Sequence, residues 1–287
     1  MPDRLARLLQ ITPVRLVVLL VGFFALDVVI AGPLAQLADT TNPFRALLVL
    51  ILGVVAAFAA VRIYRWVIGR VEHRTATEFD PAPARSGLVR GALVGMGIFT
   101  VVMLLIATFG GYDSFGWGSF WSMIATLGLM TAVAVLEEMV FRATLFRLLE
   151  QMTGTTGAMI GSALVFGGLH LLNPNATPWG AVAIAIQGGL MMAACYAVTR
   201  SLWLPIGLHF GWNFAEGGIF GTTVSGSSTT NTGLFSSHLS GPLLISGGDF
   251  GPEATIFAVL VCSLVTVYFL RKMKSLSSTE ARELVAA

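Results

Sequence analysis

Long apolar runs, separated by short polar segments, follow one another along almost the whole chain. A transmembrane helix needs about 20 mostly apolar residues, because the hydrocarbon core of a bilayer is about 30 Å thick. Eight segments approach this length: 14–32, 46–68, 87–109, 120–142, 156–173, 180–199, 202–220 and 253–270. The pattern therefore predicts an all-α polytopic membrane protein. We expect residues 1–287 to form a single helical membrane domain with short connections.

The positive charges predict how these helices are oriented. Cytoplasmic segments of membrane proteins are enriched in Lys and Arg. If the N-terminus lies in the cytoplasm, Arg45 is the one basic residue of 17 that falls in an outer segment. Any odd change in the number of spans would scramble this distribution. We therefore predict eight spans, both termini in the cytoplasm, and a first apolar run that is retained rather than cleaved as a signal peptide.

The composition agrees with a membrane protein. The chain is 55% hydrophobic and 11% charged, whereas soluble proteins carry about 25% charged residues. The net charge of +2 is too small to indicate nucleic-acid binding. Cys195 and Cys262 lie in apolar runs without C-x-x-C spacing, so we interpret them as buried thiols. We expect a multi-pass protein of a bacterial cell membrane, with the lipid bilayer as its surroundings.

Two adjacent carboxylates, Glu137 and Glu138, lie in the apolar segment 120–142. An acidic residue at the centre of a span costs about 2.5–3.5 kcal/mol, so this pair is unusual. Glu138 and Arg142 are four residues apart, the spacing of a same-face ion pair on a helix. Glu137 is rotated by about 100° and faces elsewhere. The alternative is that both glutamates mark a helix end at the lipid–water interface, with Arg142 reaching the headgroups.

Two later spans carry polar residues at helical spacing, as Phe166-x-x-x-His170 and His209-x-x-x-Asn213. Residues four apart share one face of a helix. A lone His in an apolar helix is usually a structural group, and a lone Asn usually bonds a neighbouring helix. Polar groups on three separate spans, however, avoid lipid only by meeting one another or water. The spacing therefore predicts one polar pocket in a motif-bearing core at 120–220.

These motifs together resemble a known family. Glu-Glu-x-x-x-Arg, Phe-x-x-x-His and His-x-x-x-Asn occur in this order on successive apolar segments, from residue 137 to residue 213. This arrangement resembles the CPBP family of CAAX-processing and bacteriocin-processing intramembrane proteases, also called type II CAAX prenyl endopeptidases. The resemblance implies hydrolysis of peptide bonds in the membrane by a glutamate-activated water, without a cofactor.

The resemblance also implies a role for each matching residue. Glu137 would be the catalytic glutamate and His170 its helper in activating water. His209 and Asn213 would stabilise the oxyanion. Supporting roles would fall to three further residues: Glu138, Arg142 and Phe166, the last of which would orient His170.

The chemistry of amide hydrolysis is consistent with these residue types. The reaction needs a base for water, donors for the developing oxyanion and a proton for the leaving amine. A carboxylate in an apolar setting is a stronger base than in water. Imidazole and carboxamide N–H groups suit the oxyanion, where one donor contributes about 2.7–4 kcal/mol. A peptide or membrane-protein substrate, lipidated substrates included, is therefore expected, although the sequence does not identify it.

Two alternatives remain open. His170, His209 and a glutamate could form a three-ligand zinc site, although the chain lacks the H-E-x-x-H motif of zinc proteases. Polar groups in a membrane also mark transport pathways, so a non-catalytic immunity or scaffold protein, or a transporter, is the second alternative. Chelator sensitivity and a peptide-cleavage assay distinguish them.

Three other features leave questions for the structure. Asp27 in the first span either has a function or reaches water. The basic segment Ile63–Arg90 is a cytoplasmic loop that either lies on anionic headgroups or only sets orientation. The Gly-, Ser- and Thr-rich loop Gly221–Pro252 is either a lid or a flexible linker.

Simple spans put Glu137 and His170 toward opposite ends of their helices, so their meeting requires shifted boundaries or strong tilts.

Overall fold

Three long helices begin the fold. The protein is represented by a computed structural model that describes residues 7–228 and 233–286, with side chains up to residue 276. Helices α1 (Thr12–Ala38), α2 (Pro43–Val71) and α3 (Ala84–Thr108) come first. Proline lies in the first turns of α1 and α2, where no N–H donor is needed. These helices contain the first two predicted spans and nearly all of the third.

The next helical run is longer than its predicted span. Helix α4 (Phe120–Glu138) continues without interruption through a π-helical segment, Met139–Phe146, into α5 (Arg147–Leu169). Gly154 then breaks α5, with φ 73° and ψ 173°, a conformation that glycine adopts without steric cost. The predicted end at residue 142 is therefore wrong, because the segment after Glu138 is buried in the bundle rather than in contact with headgroups.

Five shorter helical segments follow. Helix α6 (Pro178–Ile184), a π segment (Ala185–Met191) and α7 (Met192–Thr199) form one continuous run. Helix α8 (Trp203–Asn213) then continues into a third π segment, Phe214–Phe220. These two runs correspond to the predicted spans 180–199 and 202–220.

Glycines bring α3 and α8 into close contact. A Cβ atom at Gly95 would lie 2.3 Å from the carbonyl oxygen of Leu208, and one at Gly211 would lie 2.2 Å from that of Ala92. Small residues four apart permit such backbone approach between membrane helices. The contact fixes the rotation of α8 and therefore the direction of His209, which lies between Gly211 and a second contact glycine of α8, Gly207.

A short antiparallel sheet joins two connections at one end of the bundle. Strand β1 (Tyr112–Trp117) pairs with β2 (Phe235–Leu239), so that Trp117 lies opposite Phe235. The all-α prediction did not include this sheet. Helix α9 (Leu243–Ser246) and the last helix, α10 (Ile256–Ala286), complete the described chain.

The prediction of an all-α polytopic membrane protein is confirmed. In the part of the chain that the structure describes, six helical runs are long and apolar enough to cross a bilayer. One of them, residues 120–172, contains two predicted spans and the bend at Gly154. The count of eight crossings, the cytoplasmic side of the termini and the single-domain organisation stay predictions.

The connection between α2 and α3 is held by an ionic cluster. The predicted loop Ile63–Arg90 is shorter than expected, because its ends belong to α2 and α3. Glu72 accepts hydrogen bonds from Arg147 at 2.7 Å and from Arg74 at 2.6 Å. Arg74 also binds Glu78 at 2.8 Å. The cluster therefore ties this connection to the start of α5.

We expect this cluster to make the fold sensitive to acid. Burial alone would raise the pKa of Glu72 and Glu78, but the hydrogen bonds and charges of their partners, Arg74 for both, outweigh burial and hold each pKa below its ordinary value of 4.5. Their stabilising effect is complete above that ordinary value and is lost as pH falls through the lowered values. Thermal unfolding in detergent should therefore show a midpoint that drops between about pH 5 and pH 3.

The double variant Glu72→Gln/Glu78→Gln should unfold at a lower temperature at pH 7 and show a weaker acid dependence. Asp113→Asn, at an exposed position on β1, is the matched control and should keep the wild-type profile. An unchanged acid dependence in the double variant would assign the effect to other groups.

Candidate active site

A buried ion pair forms the back of the site. Arg142 Nη1 donates to Glu138 Oε1 at 2.9 Å, and the two side chains are 1% and 0% exposed. His209 Nδ1 lies 2.9 Å from the same carboxylate oxygen. The same-face pairing expected from the spacing is therefore present, and it joins α4 to α8. The alternative of a helix end at the lipid–water interface is wrong, because both side chains lie inside the bundle.

Arg142 has further partners that account for its burial. Its Nη2 donates to the backbone carbonyl oxygens of Gly188 and, at 3.3 Å, Gly189, both in the second π segment. The guanidinium carbon lies 4.8 Å from the centre of the Phe166 ring. A buried charge is tolerated when it is paired and hydrogen-bonded. Arg142 thus connects its own helical run to the second π segment.

Glu137 has the opposite environment from Glu138. It lines a cavity of about 310 Å³ within the helix bundle, and its side chain remains 22% exposed. Its Oε2 lies 3.8 Å from His209 Nε2. The two neighbouring carboxylates therefore differ in role, because one is held by Arg142 and His209 while the other faces open space.

His170 lies at the end of α5 and lines the same cavity. Its Nδ1 is 2.7 Å from the backbone carbonyl oxygen of Phe166. A carbonyl oxygen only accepts hydrogen bonds, so Nδ1 carries the hydrogen and Nε2 of the neutral ring is an acceptor. The Phe166 ring packs against His170 with 4.8 Å between ring centres, and against Phe141 with 4.7 Å. These contacts fix the direction of the imidazole.

His209 and Asn213 reach the cavity from α8. Both are buried, with 6% and 8% exposure. The structure thus brings together all four residues predicted as catalytic, whereas Glu138 and Arg142 lie behind them and Phe166 lies beside His170. Glu137 and His170 line one cavity although simple spans separate them. The helical run continues beyond residue 142 and bends at Gly154, so the boundaries differ from those of the simple spans.

Each π-helical segment described above adjoins the site. One begins directly after Glu138, one supplies the carbonyl groups that bind Arg142, and one begins directly after Asn213. π segments are rare and often occur at functional sites, because they shift backbone hydrogen bonds and side-chain directions. Here they change helix geometry next to each polar motif.

Two acidic residues of the cavity were missing from the predicted site. Asp27 of α1 lines the cavity, so its presence as a lone acid in an apolar span was a signal. Glu253 lines it as well, and accepts hydrogen bonds from Trp212 Nε1 at 3.0 Å and Ser225 Oγ at 2.6 Å. Glu253 lies just after a long polar loop, where a charge normally indicates only solvent exposure.

Part of the loop Gly221–Pro252 folds back onto the helices beside His170. Asn173 Nδ2 donates to the carbonyl oxygen of Ser225 at 2.6 Å, and the Gly226 N–H donates to the carbonyl oxygen of Phe250 at 2.8 Å. The loop is therefore tied near His170 at Ser225, and its residues Val224 and Ser225 line the cavity. Residues 229–232 lie outside the described residues.

One structural observation bears on whether the protein binds a metal ion. Within residues 7–228 and 233–286, no three His, Cys, Asp or Glu side chains form a group that could hold a metal ion. Cys195 and Cys262 are free and buried, as predicted. The expectation that the protein works without a cofactor stays a prediction.

The comparison with known families agrees with the motifs. Residues 118–215 match the family model described as type II CAAX prenyl endopeptidase Rce1-like. No curated protein and no solved structure matches the chain. The matched range contains the three motifs and therefore confirms the resemblance. The family implies an intramembrane endopeptidase of the CAAX type. Over residues 118–215, the chain is similar to the family described as type II CAAX prenyl endopeptidase Rce1-like.

Proposed function

We propose that the protein is an intramembrane endopeptidase in which Glu137 activates water for attack on a peptide bond. The observation that carries this proposal is the contrast between the two neighbouring carboxylates. Glu138 is bound by Arg142 and His209, so it is poorly placed to take a proton. Glu137 faces the cavity and is the member of the pair that can act as a general base.

His170 helps to hold the attacking water. Its Nδ1–H donates to the carbonyl of Phe166, which leaves Nε2 to accept a hydrogen bond from that water. Glu137 takes the other proton as the water oxygen bonds to the substrate carbonyl carbon. Glu137 then passes this proton to the amide nitrogen, the C–N bond breaks, and a carboxylic acid and an amine leave.

His209 and Asn213 stabilise the oxyanion of the tetrahedral intermediate. Nδ1 of His209 donates to Glu138, so Nε2 donates only when the ring is protonated. The Asn213 carboxamide supplies a second donor from the same face of α8.

Asn213→Ala tests the oxyanion role. We expect kcat to fall by about 10²–10³ with little change in KM, because the lost donor acts mainly on the transition state. Kinetics of the purified protein on a peptide substrate measure this split. Asn42→Ala, at the exposed N-cap of α2, is the matched control. A rise in KM alone would show that Asn213 binds ground-state substrate instead.

The zinc alternative predicts a different response to chelation. A glutamate-only mechanism predicts that cleavage persists after treatment of the purified protein with a strong chelator. The protein should also contain less than one equivalent of metal by elemental analysis. Stoichiometric zinc whose removal abolishes cleavage, and whose return restores it, would replace the proposed mechanism.

The substrate class follows from the surroundings of the site. The cavity combines these polar groups with apolar side chains of α1 and α4, such as Phe24, Val28 and Met130. Peptides or membrane proteins, with lipidated ones among them, therefore suit it better than hydrophilic polymers. We propose no nucleic-acid partner.

A further inference from the structure

A second cavity lies on the other side of α4 and α8. It has a volume of about 580 Å³ and shares no lining residue with the catalytic cavity. On α4 it is lined by Thr131 and Val135, whereas Met130, Val133 and Glu137 line the catalytic one. It is therefore a separate site, and a ligand bound there is independent of the proposed catalytic function.

This crevice has the shape and surface of a groove for one lipid chain. Its walls are α2 and α3, and its floor is formed by α4 and α8. Side chains at its lips are exposed, among them Val54 at 50%, Phe58 at 66% and Val89 at 52%. From Val54 to Arg65 it follows α2 for about 16 Å, close to the thickness of half the hydrocarbon core, about 15 Å.

Positive charge is concentrated at one end of the crevice. Arg62 and Arg65 line it there, next to Pro81 and Trp203. Arg62 lies over the Phe58 ring at 5.7 Å, and Arg65 donates to the backbone carbonyl of Phe79. Neither contact neutralises a charge. The ion pairs among the described residues do not include these two arginines.

Nearby arginines differ in this respect. Arg74 and Arg147 share the carboxylate of Glu72. The two arginines of the crevice can therefore pair with an external anion. The apolar groove below them suits a hydrocarbon chain. An anionic phospholipid supplies both groups at the correct separation.

We propose that this crevice binds an anionic phospholipid, with one acyl chain between α2 and α3 and the headgroup phosphate paired with Arg62 and Arg65. The phospholipid completes the packing between two helices that leave an open cleft. It also anchors the α2 end of the bundle to a charged membrane surface.

Native mass spectrometry of the full chain in detergent tests this proposal. Phosphatidylglycerol is titrated as the probe, with phosphatidylcholine of the same acyl chains as the comparison. We expect tighter binding of phosphatidylglycerol. We expect Arg62→Gln/Arg65→Gln to weaken it by about 25-fold, because each arginine near a headgroup contributes about a factor of five. The matched control Arg70→Gln/Arg90→Gln removes two exposed arginines outside the crevice and should change binding less than threefold.

A second variant tests the groove itself. Val89→Phe enlarges a side chain that lines the crevice and is 52% exposed, while both arginines remain. It should reduce phosphatidylglycerol binding while the thermal unfolding midpoint without lipid stays unchanged. Equal binding of the two lipids, or equal losses in the two double variants, would overturn the proposal. Displacement of bound phosphatidylglycerol by farnesyl-cysteine methyl ester would also overturn it, because the crevice would then prefer a prenyl chain.

Discussion

Replacing Glu137 by Gln is expected to lower kcat for peptide cleavage by about 10⁴, the upper end of the range for general acid–base catalysis. Glutamine keeps the size of the side chain and its place in the cavity, but its carboxamide does not accept the proton of water. The effect is large because the same carboxylate also returns that proton to the leaving amine. Single-turnover cleavage in lipid nanodiscs measures the chemical step directly.

Glu150→Gln is the matched control for this substitution. Glu150 pairs with Arg200 near the surface, outside the catalytic cavity. The control should therefore cleave at nearly the wild-type rate. Cleavage by Glu137→Gln within tenfold of wild type would remove the base from the proposed mechanism.

Replacing Arg142 by Met is expected to lower the free energy of unfolding by about 3–5 kcal/mol. The substitution leaves the Glu138 carboxylate, which is fully buried, without its guanidinium partner. It also frees the two carbonyl groups of the second π segment. Unfolding of the purified protein in mixed micelles, followed by tryptophan fluorescence, measures this loss.

Arg200→Gln provides the contrasting control. Arg200 binds Glu150 at 2.5 Å, but its side chain is 54% exposed, and exposed pairs contribute about 0–1 kcal/mol. A loss that is equally small in both variants would mean that Glu138 is neutral or hydrated in the folded protein. The difference between the variants thus reports on the buried pair itself.

Helix geometry is what made much of the site predictable. The four-residue spacing from Glu138 to Arg142 and from His209 to Asn213 sets a shared face whatever the surrounding fold. The 100° between Glu137 and Glu138 likewise separates their environments. The long apolar runs located the helices for a similar reason, since lipid requires backbone hydrogen bonds within each segment.

The placement of Glu137 and His170 on one cavity could not be predicted from spans of standard length. It depends on a helical run that continues through a π segment, and on a bend at Gly154. Apolar periodicity does not distinguish α from π geometry, because both keep apolar side chains buried. Only the packing of Arg142 against the second π segment shows why residues 139–146 remain inside the bundle.

The sequence pattern also could not predict contacts between segments that are far apart in the chain. Strands β1 and β2 pair across more than 100 residues, and neither has a neighbouring turn that would indicate a hairpin. Glu253 joins the cavity through contacts with Trp212 and Ser225, which no local spacing encodes. Asp27 was visible as a lone acid, but its direction depends on how α1 packs.

A comparison of peptide N-termini in membranes tests the central claim most directly. Membranes from cells that produce the wild-type chain are compared by mass spectrometry with membranes that contain equal amounts of Glu137→Gln. The account predicts a set of new N-termini, from cleavage within membrane-bound peptides or proteins, that appears with the wild type and is missing with the variant. Identical sets of N-termini in the two membranes would contradict it.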